Sequence, residues 1–274
     1  MQRGVRDEEL LFLLFLLFFE VWLLPYDSEV GVLILFYDLY LHVATRDFFR
    51  YTLRMNIKGL IFDLDGTITL TQQFHYQAFS KVFADHGVKY TEDDDLFKYA
   101  GMGSGMIFPT VFADHGISLT DEQIKQYSSE KKEIYMKILE EHEILPVPGV
   151  KDFLKKITER GYQICIASGN KLEAIEYLLA RVGVRDFFEI IVTNKDAKKP
   201  KPAPDIFLAA AVKLGLLPSQ CVVFEDAVNG VQASESAGIR CIALTTRTPA
   251  DDLRAAGADY IVQSYDDVRD EMIS

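Results

Sequence analysis

The pattern of apolar and polar positions after Met55 alternates between short buried runs and amphipathic segments. Six short apolar runs predict buried β-strands: residues 57–62, 162–167, 189–193, 221–224, 240–244 and 259–262. Helical patterns separate most of them, each followed by a glycine: residues 150–160, 171–182, 205–214 and 227–237. This alternation indicates an α/β fold, in which a doubly wound parallel sheet carries helices on both faces.

One long segment interrupts the alternation. Residues 72–145 contain no convincing strand but several amphipathic helical patterns, and they lie between the first strand and Pro146-Val147-Pro148-Gly149. We therefore predict a core domain of residues 55–71 and 146–274, with an inserted all-α cap domain of residues 72–145.

The first 54 residues differ in composition from the rest of the chain. They hold 12 of the 33 aromatic residues, and all 17 lysines follow Met55. Their main apolar run, residues 10–24, is interrupted by Glu20 and is shorter than the roughly 20 residues that a membrane-spanning helix needs. Acidic residues outweigh Arg3 and Arg6, and no small-residue cleavage site follows, which argues against a signal peptide. We favour an upstream extension outside the fold. A membrane anchor is the alternative, and membrane association is expected only through this segment.

Charge and cysteine content restrict the partners. The 274-residue chain has 29 basic and 41 acidic side chains and a net charge of −12, which argues against nucleic acid as a partner. Cys165, Cys221 and Cys241 lie in apolar runs without the spacing of a metal site, so we expect reduced thiols in a cytoplasmic protein. No sequence feature encodes an oligomeric state, and we expect a monomer.

Two carboxylates follow the first predicted strand, in Asp63-Leu64-Asp65-Gly66-Thr67. Alternation along an extended segment points Asp63 and Asp65 the same way, and ligands of doubly wound sheets bind at the carboxyl ends of strands. Neighbouring carboxylates repel unless a cation lies between them or their protonation differs. Acidic turns are common on protein surfaces, so this motif alone is a moderate signal.

Polar groups also follow the next two strands. Ser168-Gly169-Asn170 opens a helix, where a hydroxyl and free backbone N–H groups can cradle an anion, although Ser168 is equally consistent with an ordinary N-cap. Lys201 lies between Pro200 and Pro202, which hold its loop extended.

Glu225 and Asp226 end the fourth strand and complete the set. Carboxylates, a hydroxyl, an amide and a lysine then meet at one edge of the sheet. This combination predicts a site for a divalent cation and a phosphate.

These four motifs, in this order, resemble those of the haloacid dehalogenase superfamily, and the insertion after the first motif is similar to the helical cap of its β-phosphoglucomutase-like phosphatases. The resemblance covers residues 57–262. It implies a Rossmann-like core and Mg²⁺-dependent hydrolysis of a small phosphomonoester, a sugar or polyol phosphate, through an aspartyl-phosphate. A hexose-phosphate mutase of the β-phosphoglucomutase type is the alternative. A non-catalytic receiver-like module would have no need of the long helical insertion.

The resemblance also implies the roles of individual residues. Asp63 would be the nucleophile, and Asp65 the general acid and then the base. The implied phosphate ligands are Thr67, Ser168, Gly169, Asn170 and Lys201. The implied Mg²⁺ ligands are Asp63, the backbone carbonyl of Asp65, Glu225 and Asp226.

Three cap residues are candidate substrate contacts. His75 falls where many relatives carry a histidine, and a role in orienting Asp65 or the substrate stands against that of a plain cap-helix residue. Ser104 stands where the mutase has an arginine that grips the far phosphate, and a serine cannot replace that bidentate clamp, which favours hydrolysis. Lys131 can supply a cap cation. Leu70 replaces an aspartate common in relatives, so we expect no polar contact there at the cap hinge.

Overall fold

The computed structural model describes residues 57–99 and 104–274. The predicted extension, residues 1–54, lies outside the described residues, and so does the side chain of Ser104. No helix in the described part of the chain is long and apolar enough to cross a membrane.

Six strands of the described residues form one parallel sheet: β1 Gly59–Phe62, β2 Gln163–Ala167, β3 Ile190–Val192, β4 Cys221–Glu225, β5 Arg240–Leu244 and β6 Tyr260–Val262. Their order across the sheet is β3-β2-β1-β4-β5-β6. The chain therefore winds outward from β1 to β3 and then crosses back to place β4 on the other side of β1. Parallel sheets bind their ligands at such a reversal of strand order, beyond the carboxyl ends of the strands.

The described helices are α1 Gln72–Asp85, α2 Ser104–Asp114, α3 Asp121–Glu141, α4 Val150–Glu159, α5 Leu172–Arg181, α6 Asp205–Leu214, α7 Val228–Ala237 and α8 Ala250–Ala255. The four predicted core helices are present, and their bounds differ from the predicted ones by one residue at four of the eight ends. Helix α8 was not predicted because six residues are too few to show a helical period. The doubly wound α/β prediction is confirmed.

Both faces of the sheet are buried, which explains why its strands are almost wholly apolar. On one face Phe62 stacks on Phe224 with ring centroids 4.8 Å apart, and Phe153 and Tyr265 pack around this pair. On the other face Ile61 joins a second cluster that also contains the three free cysteines. The thiols are therefore small core residues, as their apolar surroundings predict.

Helices α1, α2 and α3 lie in the insertion between β1 and β2, and residues 72–99 and 104–145 contain no strand, which confirms an inserted helical cap. Aromatic side chains form its interior, with Phe83 and Phe108 fully buried. Helix α3 begins with a capping box: the Thr120 hydroxyl accepts from the Gln123 N–H at 3.2 Å, and the Gln123 amide oxygen accepts from the Thr120 N–H at 2.9 Å.

The two chain segments that enter and leave the cap are paired with each other. The Leu70 N–H donates to the Leu145 carbonyl at 2.9 Å, and the Val147 N–H donates to the Ile68 carbonyl at 2.9 Å. The side chain of Leu70 packs against the core instead of making a polar contact, as predicted for this position. The pairing ties the base of the cap to the carboxyl end of β1.

Replacing Phe224 by alanine tests the packing under the sheet. The ring is fully buried between Phe62, Phe153 and Tyr265, so we expect Phe224→Ala to lower the free energy of unfolding by about 3–5 kcal/mol in urea titrations. Val212, which is 77% exposed, is the control, and Val212→Ala should change stability by less than about 0.5 kcal/mol. Similar losses in the two variants would contradict this account of the core.

Candidate active site

Asp63, Lys201 and Glu225 meet where β1 and β4 end. The Asp63 N–H donates to the Phe224 carbonyl at 3.0 Å, which extends the pairing of β1 and β4 by one residue. The Lys201 ammonium donates to Asp63 Oδ1 and to Glu225 Oε1, both at 2.6 Å. The structure thus brings together a lysine and two carboxylates that lie on three separate segments of the chain.

Negative charge exceeds positive charge in this cluster. Asp63 and Glu225 are buried against Lys201, and the neighbouring Asp226 is buried without an ion pair to this lysine among the described residues. Burial raises the pKa of Asp63 to about 7, against the opposing effect of Lys201 and with a smaller contribution from Glu225. Burial, followed by the charges of Glu225 and Asp63, raises the pKa of Asp226 well above its ordinary value. One ammonium therefore does not neutralise the site.

The Asp65 carboxylate has a different environment, because four side chains donate hydrogen bonds to it. Oδ1 accepts from the Thr71 hydroxyl at 2.5 Å, from His75 Nε2 at 3.2 Å and from the Tyr135 hydroxyl at 3.2 Å. Oδ2 accepts from Asn170 Nδ2 at 2.5 Å. Burial acts to raise the pKa of Asp65, but His75 and the Thr71 hydroxyl outweigh it and hold that pKa below its usual range. Asp65 is therefore ionised at neutral pH.

The protonation of His75 follows from its second partner, Lys131. Burial lowers the pKa of Lys131 to about 8, so its ammonium is still mostly charged at neutral pH and donates to His75 Nδ1 at 2.6 Å. Burial and the Lys131 charge lower the pKa of His75, which keeps the ring neutral. A neutral ring that accepts at Nδ1 carries its proton on Nε2 and donates it to Asp65. Two of the three predicted cap residues, His75 and Lys131, thus lie at the site, and the His75 ring also stacks on Tyr135 with ring centroids 4.1 Å apart.

The predicted phosphate ligands are arranged around these carboxylates. Helix α5 begins with Lys171 as its N-cap, so Ser168 is not an ordinary N-cap residue. The buried Ser168 hydroxyl accepts from the Asn170 N–H at 3.2 Å. Gly169 is exposed beside them. Asn170, also predicted as a phosphate ligand, donates from its side chain to Asp65.

The Thr67 hydroxyl has no hydrogen-bond partner among the described residues, although it is fully buried. Buried hydroxyls are nearly always satisfied in folded proteins, so this group calls for a polar partner that the described residues do not supply. A phosphoryl oxygen would satisfy it.

Two glycines allow the backbone to approach the carboxylates closely. A Cβ on Gly66, which has a φ of +77°, would lie 1.9 Å from Asp226 Oδ2. A Cβ on Gly230 of α7 would lie 1.8 Å from Glu225 Oε1. Neither position has room for a side chain.

Sequence reasoning missed several residues that complete the site. Thr71 and Tyr135 donate hydrogen bonds to Asp65, and the sequence offered two signals: Thr71 lies four residues after the end of the first motif, and Tyr135 is one helical turn beyond Lys131. Gln72 Nε2 donates to the Asp65 carbonyl at 2.7 Å and to Asp226 Oδ2 at 3.0 Å. No local pattern points to these contacts of Gln72.

The donor set fits Mg²⁺ as a partial site. The described residues contain no group of three or more His, Cys, Asp or Glu side chains that could hold a metal by themselves. Mg²⁺ is usually bound by one or two carboxylates, with water and phosphate oxygens completing its shell. Asp63, Asp226 and the Asp65 carbonyl supply such oxygens in a pocket with excess negative charge. Both oxygens of Glu225 are already engaged, by Lys201 and by the N–H groups of the two residues that follow.

Substitution of Gly230 tests the packing of Glu225. A methyl group there would displace the Glu225 carboxylate from Lys201, so we expect Gly230→Ala to lower the free energy of unfolding by at least about 2 kcal/mol in urea titrations. Gly105, which is also helical, is the control, because a Cβ at this position would have no neighbouring heavy atom within 4 Å. Gly105→Ala should leave the free energy of unfolding unchanged or raise it slightly. Equal effects at the two positions would show that Glu225 does not need this close approach.

Comparison with known proteins identifies the family. The family model of the haloacid dehalogenase-like hydrolases matches residues 60–244, a span from β1 to β5 that includes all four strand-end motifs. The chain is 31% identical to Protein CbbY of Rhodobacter capsulatus over 74% of this chain and 92% of that protein. It is 33% identical to the fructose-1-phosphate phosphatase YqaB of Escherichia coli over 67% of this chain and 94% of that protein.

A solved structure gives the same result. The β-phosphoglucomutase of Clostridium difficile superposes with a TM-score of 0.70 at 25% identity, over 79% of this chain and 95% of the other. The predicted superfamily and its β-phosphoglucomutase-like subgroup are confirmed, and the protein is a phosphoric monoester hydrolase. On this evidence the chain belongs to the haloacid dehalogenase-like hydrolases.

Proposed function

We propose that this protein is a Mg²⁺-dependent phosphatase that hydrolyses a small sugar or polyol phosphate through a phosphoryl group carried on Asp63. The observation that supports this most strongly is the pair of aspartates with opposite pKa shifts. Asp63 and Asp65 lie two residues apart, and the pKa of the first is raised while that of the second is lowered. Such a difference separates the two chemical roles.

Asp63 is the proposed nucleophile. Lys201 holds one of its carboxylate oxygens at 2.6 Å, which orients the group toward the carboxyl end of the sheet. With a pKa of about 7, Asp63 is only partly ionised near neutral pH. When bound, Mg²⁺ supplies the positive charge that keeps this carboxylate ionised and offsets its repulsion of the phosphate. A carboxylate oxygen of Asp63 forms the new bond to phosphorus as the bond from phosphorus to the ester oxygen breaks.

Asp65 is the proposed proton carrier. It gives a proton to the departing ester oxygen and later takes one from the water that attacks the phosphoryl group and releases phosphate. Its four hydrogen-bond donors favour the ionised form, which suits the second step. A dianionic phosphate placed beside it raises its proton affinity, which suits the first.

The phosphate is proposed to lie between Lys201, Ser168 and Thr67. Lys201 supplies charge, and the unpartnered Thr67 hydroxyl supplies a buried hydrogen bond. The cap, proposed to comprise residues 72–145, brings His75 and Lys131 to the leaving-group side of Asp65. The sugar-phosphate class is supported by the similarity to YqaB, whose name gives fructose 1-phosphate as its substrate.

Release of inorganic phosphate from a panel of monoesters, with Mg²⁺ and with EDTA, tests the proposed reaction. We expect turnover only with Mg²⁺, complete loss in Asp63→Asn and a loss of about 10²- to 10⁴-fold in Asp65→Asn, because one removes the nucleophile and the other the proton carrier. Asp251→Asn, at a side chain that is 94% exposed, should retain wild-type rates. Absence of turnover on every ester, with or without Mg²⁺, would contradict the proposal.

Stability should depend on pH and on Mg²⁺ through Asp63. Its folded-state pKa of about 7 exceeds the ordinary 3.8, so between these values the folded state keeps a proton that the unfolded state has lost. This contribution is complete below the ordinary pKa and is lost as the pH rises through the folded one. We expect Tm in EDTA to fall from about pH 5 to about pH 8. A single proton can change the free energy of unfolding by at most about 1.4 kcal/mol per pH unit.

The matched measurement uses Asp63→Asn, whose Tm should fall less steeply over the same range. Because Mg²⁺ binds the ionised carboxylate, it should raise the Tm of the wild type more at about pH 8 than at about pH 5. Identical slopes in the wild type and the variant would show that Asp63 does not carry the proton.

Mutase activity is a second candidate, supported by the structural similarity to β-phosphoglucomutase. Both reactions share the phosphorylated aspartate, and they differ in whether water or a sugar hydroxyl takes the phosphoryl group. Isomerisation of β-glucose 1-phosphate faster than its hydrolysis would identify this protein as a mutase.

A further inference from the structure

A chain of hydrogen bonds links the cap to the oxygens proposed to bind Mg²⁺, and Arg247 lies at its centre. Arg247 is in the loop between β5 and α8. Its Nη2 donates to Asp95 Oδ2 at 2.8 Å and to the Asp95 carbonyl at 2.9 Å. Its Nη1 donates to the Gln72 amide oxygen at 3.0 Å. One guanidinium thus holds two cap residues that are 152 and 175 positions away in the sequence.

The contacts at both ends of the Gln72 amide agree on its orientation. Arg247 has only donors to offer, so Gln72 Oε1 faces it. Gln72 Nε2 then faces the Asp65 carbonyl, which can only accept, at 2.7 Å and Asp226 Oδ2 at 3.0 Å. A reversed amide would place oxygen against oxygen and nitrogen against the guanidinium.

Gln72 leaves these two oxygens able to bind a cation. A carbonyl or carboxylate oxygen has two lone pairs, so each can accept from Gln72 and still bind a metal. Groups that contact metal ligands in this way fix their direction, and their loss typically weakens metal binding by about 10- to 100-fold. Gln72 therefore has the geometry of an outer-shell support for Asp226 and for the Asp65 carbonyl.

The ion pair at the cap end is enclosed, unlike most ion pairs in the part of the chain that the structure describes. The side chains of Arg247 and Asp95 are 14% and 10% exposed, and Asp95 Oδ1 also accepts from the Tyr90 hydroxyl at 2.7 Å. Asp95 lies in the short helical turn Asp94–Lys98 of the cap. Arg247 would lose this contact if the turn moved away from the core. A buried charge left without its partner is costly, so the pair favours the closed position of the cap.

We propose that Arg247 is a positioning residue that couples closure of the cap to the orientation of the Mg²⁺-binding oxygens, because it holds Asp95 and Gln72 at the same time. The proposal rests on the proposed function for its metal site. Lysine is a poor substitute, because the planar guanidinium presents donors from two nitrogens in a fixed geometry, whereas an ammonium has a single nitrogen that would have to reach both Asp95 and Gln72.

The cap contact is tested first, without metal, by hydrogen exchange of the full-length chain in EDTA. We expect Arg247→Ala and Asp95→Asn to speed amide exchange in residues 94–98 by about 10-fold or more. Arg254, whose ion pair with Asp251 is exposed, is the matched control, and Arg254→Ala should leave exchange there unchanged. Unchanged exchange in both Arg247→Ala and Asp95→Asn would overturn the proposal.

The coupling is tested by calorimetric titration with Mg²⁺ alone. We expect Gln72→Ala to weaken binding by about 10- to 100-fold, Arg247→Ala and Arg247→Lys to weaken it in part, and the double variant Gln72→Ala with Arg247→Ala to bind no more weakly than Gln72→Ala. Losses that multiply would show that Arg247 does not act through Gln72 and would overturn the coupling.

The two arms separate this proposal from the proposed function. A wild-type chain that binds no Mg²⁺ would contradict the metal site and, with it, the coupling. Normal Mg²⁺ binding that is unaffected by Arg247→Ala would contradict the coupling alone. In turnover assays we expect Arg247→Ala to need a higher Mg²⁺ concentration for half-maximal rate and to keep a nearly unchanged kcat at saturating Mg²⁺.

Discussion

The excess of buried negative charge where β1 and β4 end is the constraint that the rest of the site depends on. Asp63, Glu225 and Asp226 are almost fully buried, and the ammonium of Lys201 pairs with only the first two of them. Water cannot stabilise charges in that position, so the carboxylates must be protonated or bind a cation. The strand order places these carboxylates together, because β1 and β4 are neighbours where the chain reverses its direction of winding. Both faces of the sheet are covered, so the side chains at this point are shielded from water.

The cap resolves the same constraint differently for Asp65. Two of the four donors to its carboxylate, His75 and Tyr135, are on cap helices, and Thr71 is on the segment that enters the cap. With the cap in this position Asp65 is surrounded by donors, whereas the side chain of Asp63 has only Lys201 among the described residues and shares it with Glu225. The cap contacts therefore contribute to the difference in proton affinity between two carboxylates that are only two residues apart. In the proposed reaction, substrate enclosure and proton transfer would depend on the same contacts.

The sequence predicted what local pattern and strand order determine. Six strands, four core helices and the meeting of Asp63, Lys201 and Asp226 follow from apolar runs and from the rule that parallel strands present their carboxyl ends at one edge. The sequence did not predict which side chains form hydrogen bonds with each other. The side-chain hydrogen bond from Asn170 to Asp65 joins residues 105 positions apart, and Arg247 and Gln72 are 175 positions apart. Contacts of that separation follow from packing, which leaves no periodic trace in the sequence.

An acidic chain that binds phosphate needs cations that are not already paired with carboxylates. The buried cations near the site differ in how far they are paired. Lys201 is bonded to two carboxylates, and Arg247 is bonded to Asp95. Lys131 has no carboxylate within ion-pair distance among the described residues, and its close polar partner is the neutral ring of His75. The rings of Phe79 and Tyr135 lie 4.6 and 4.4 Å from its ammonium and replace part of the lost hydration. Burial lowers the pKa of Lys131 to about 8, although the charges of Asp65 and Asp95 act to raise it, so an anion that enters beneath the cap would bring Lys131 a closer counter-charge.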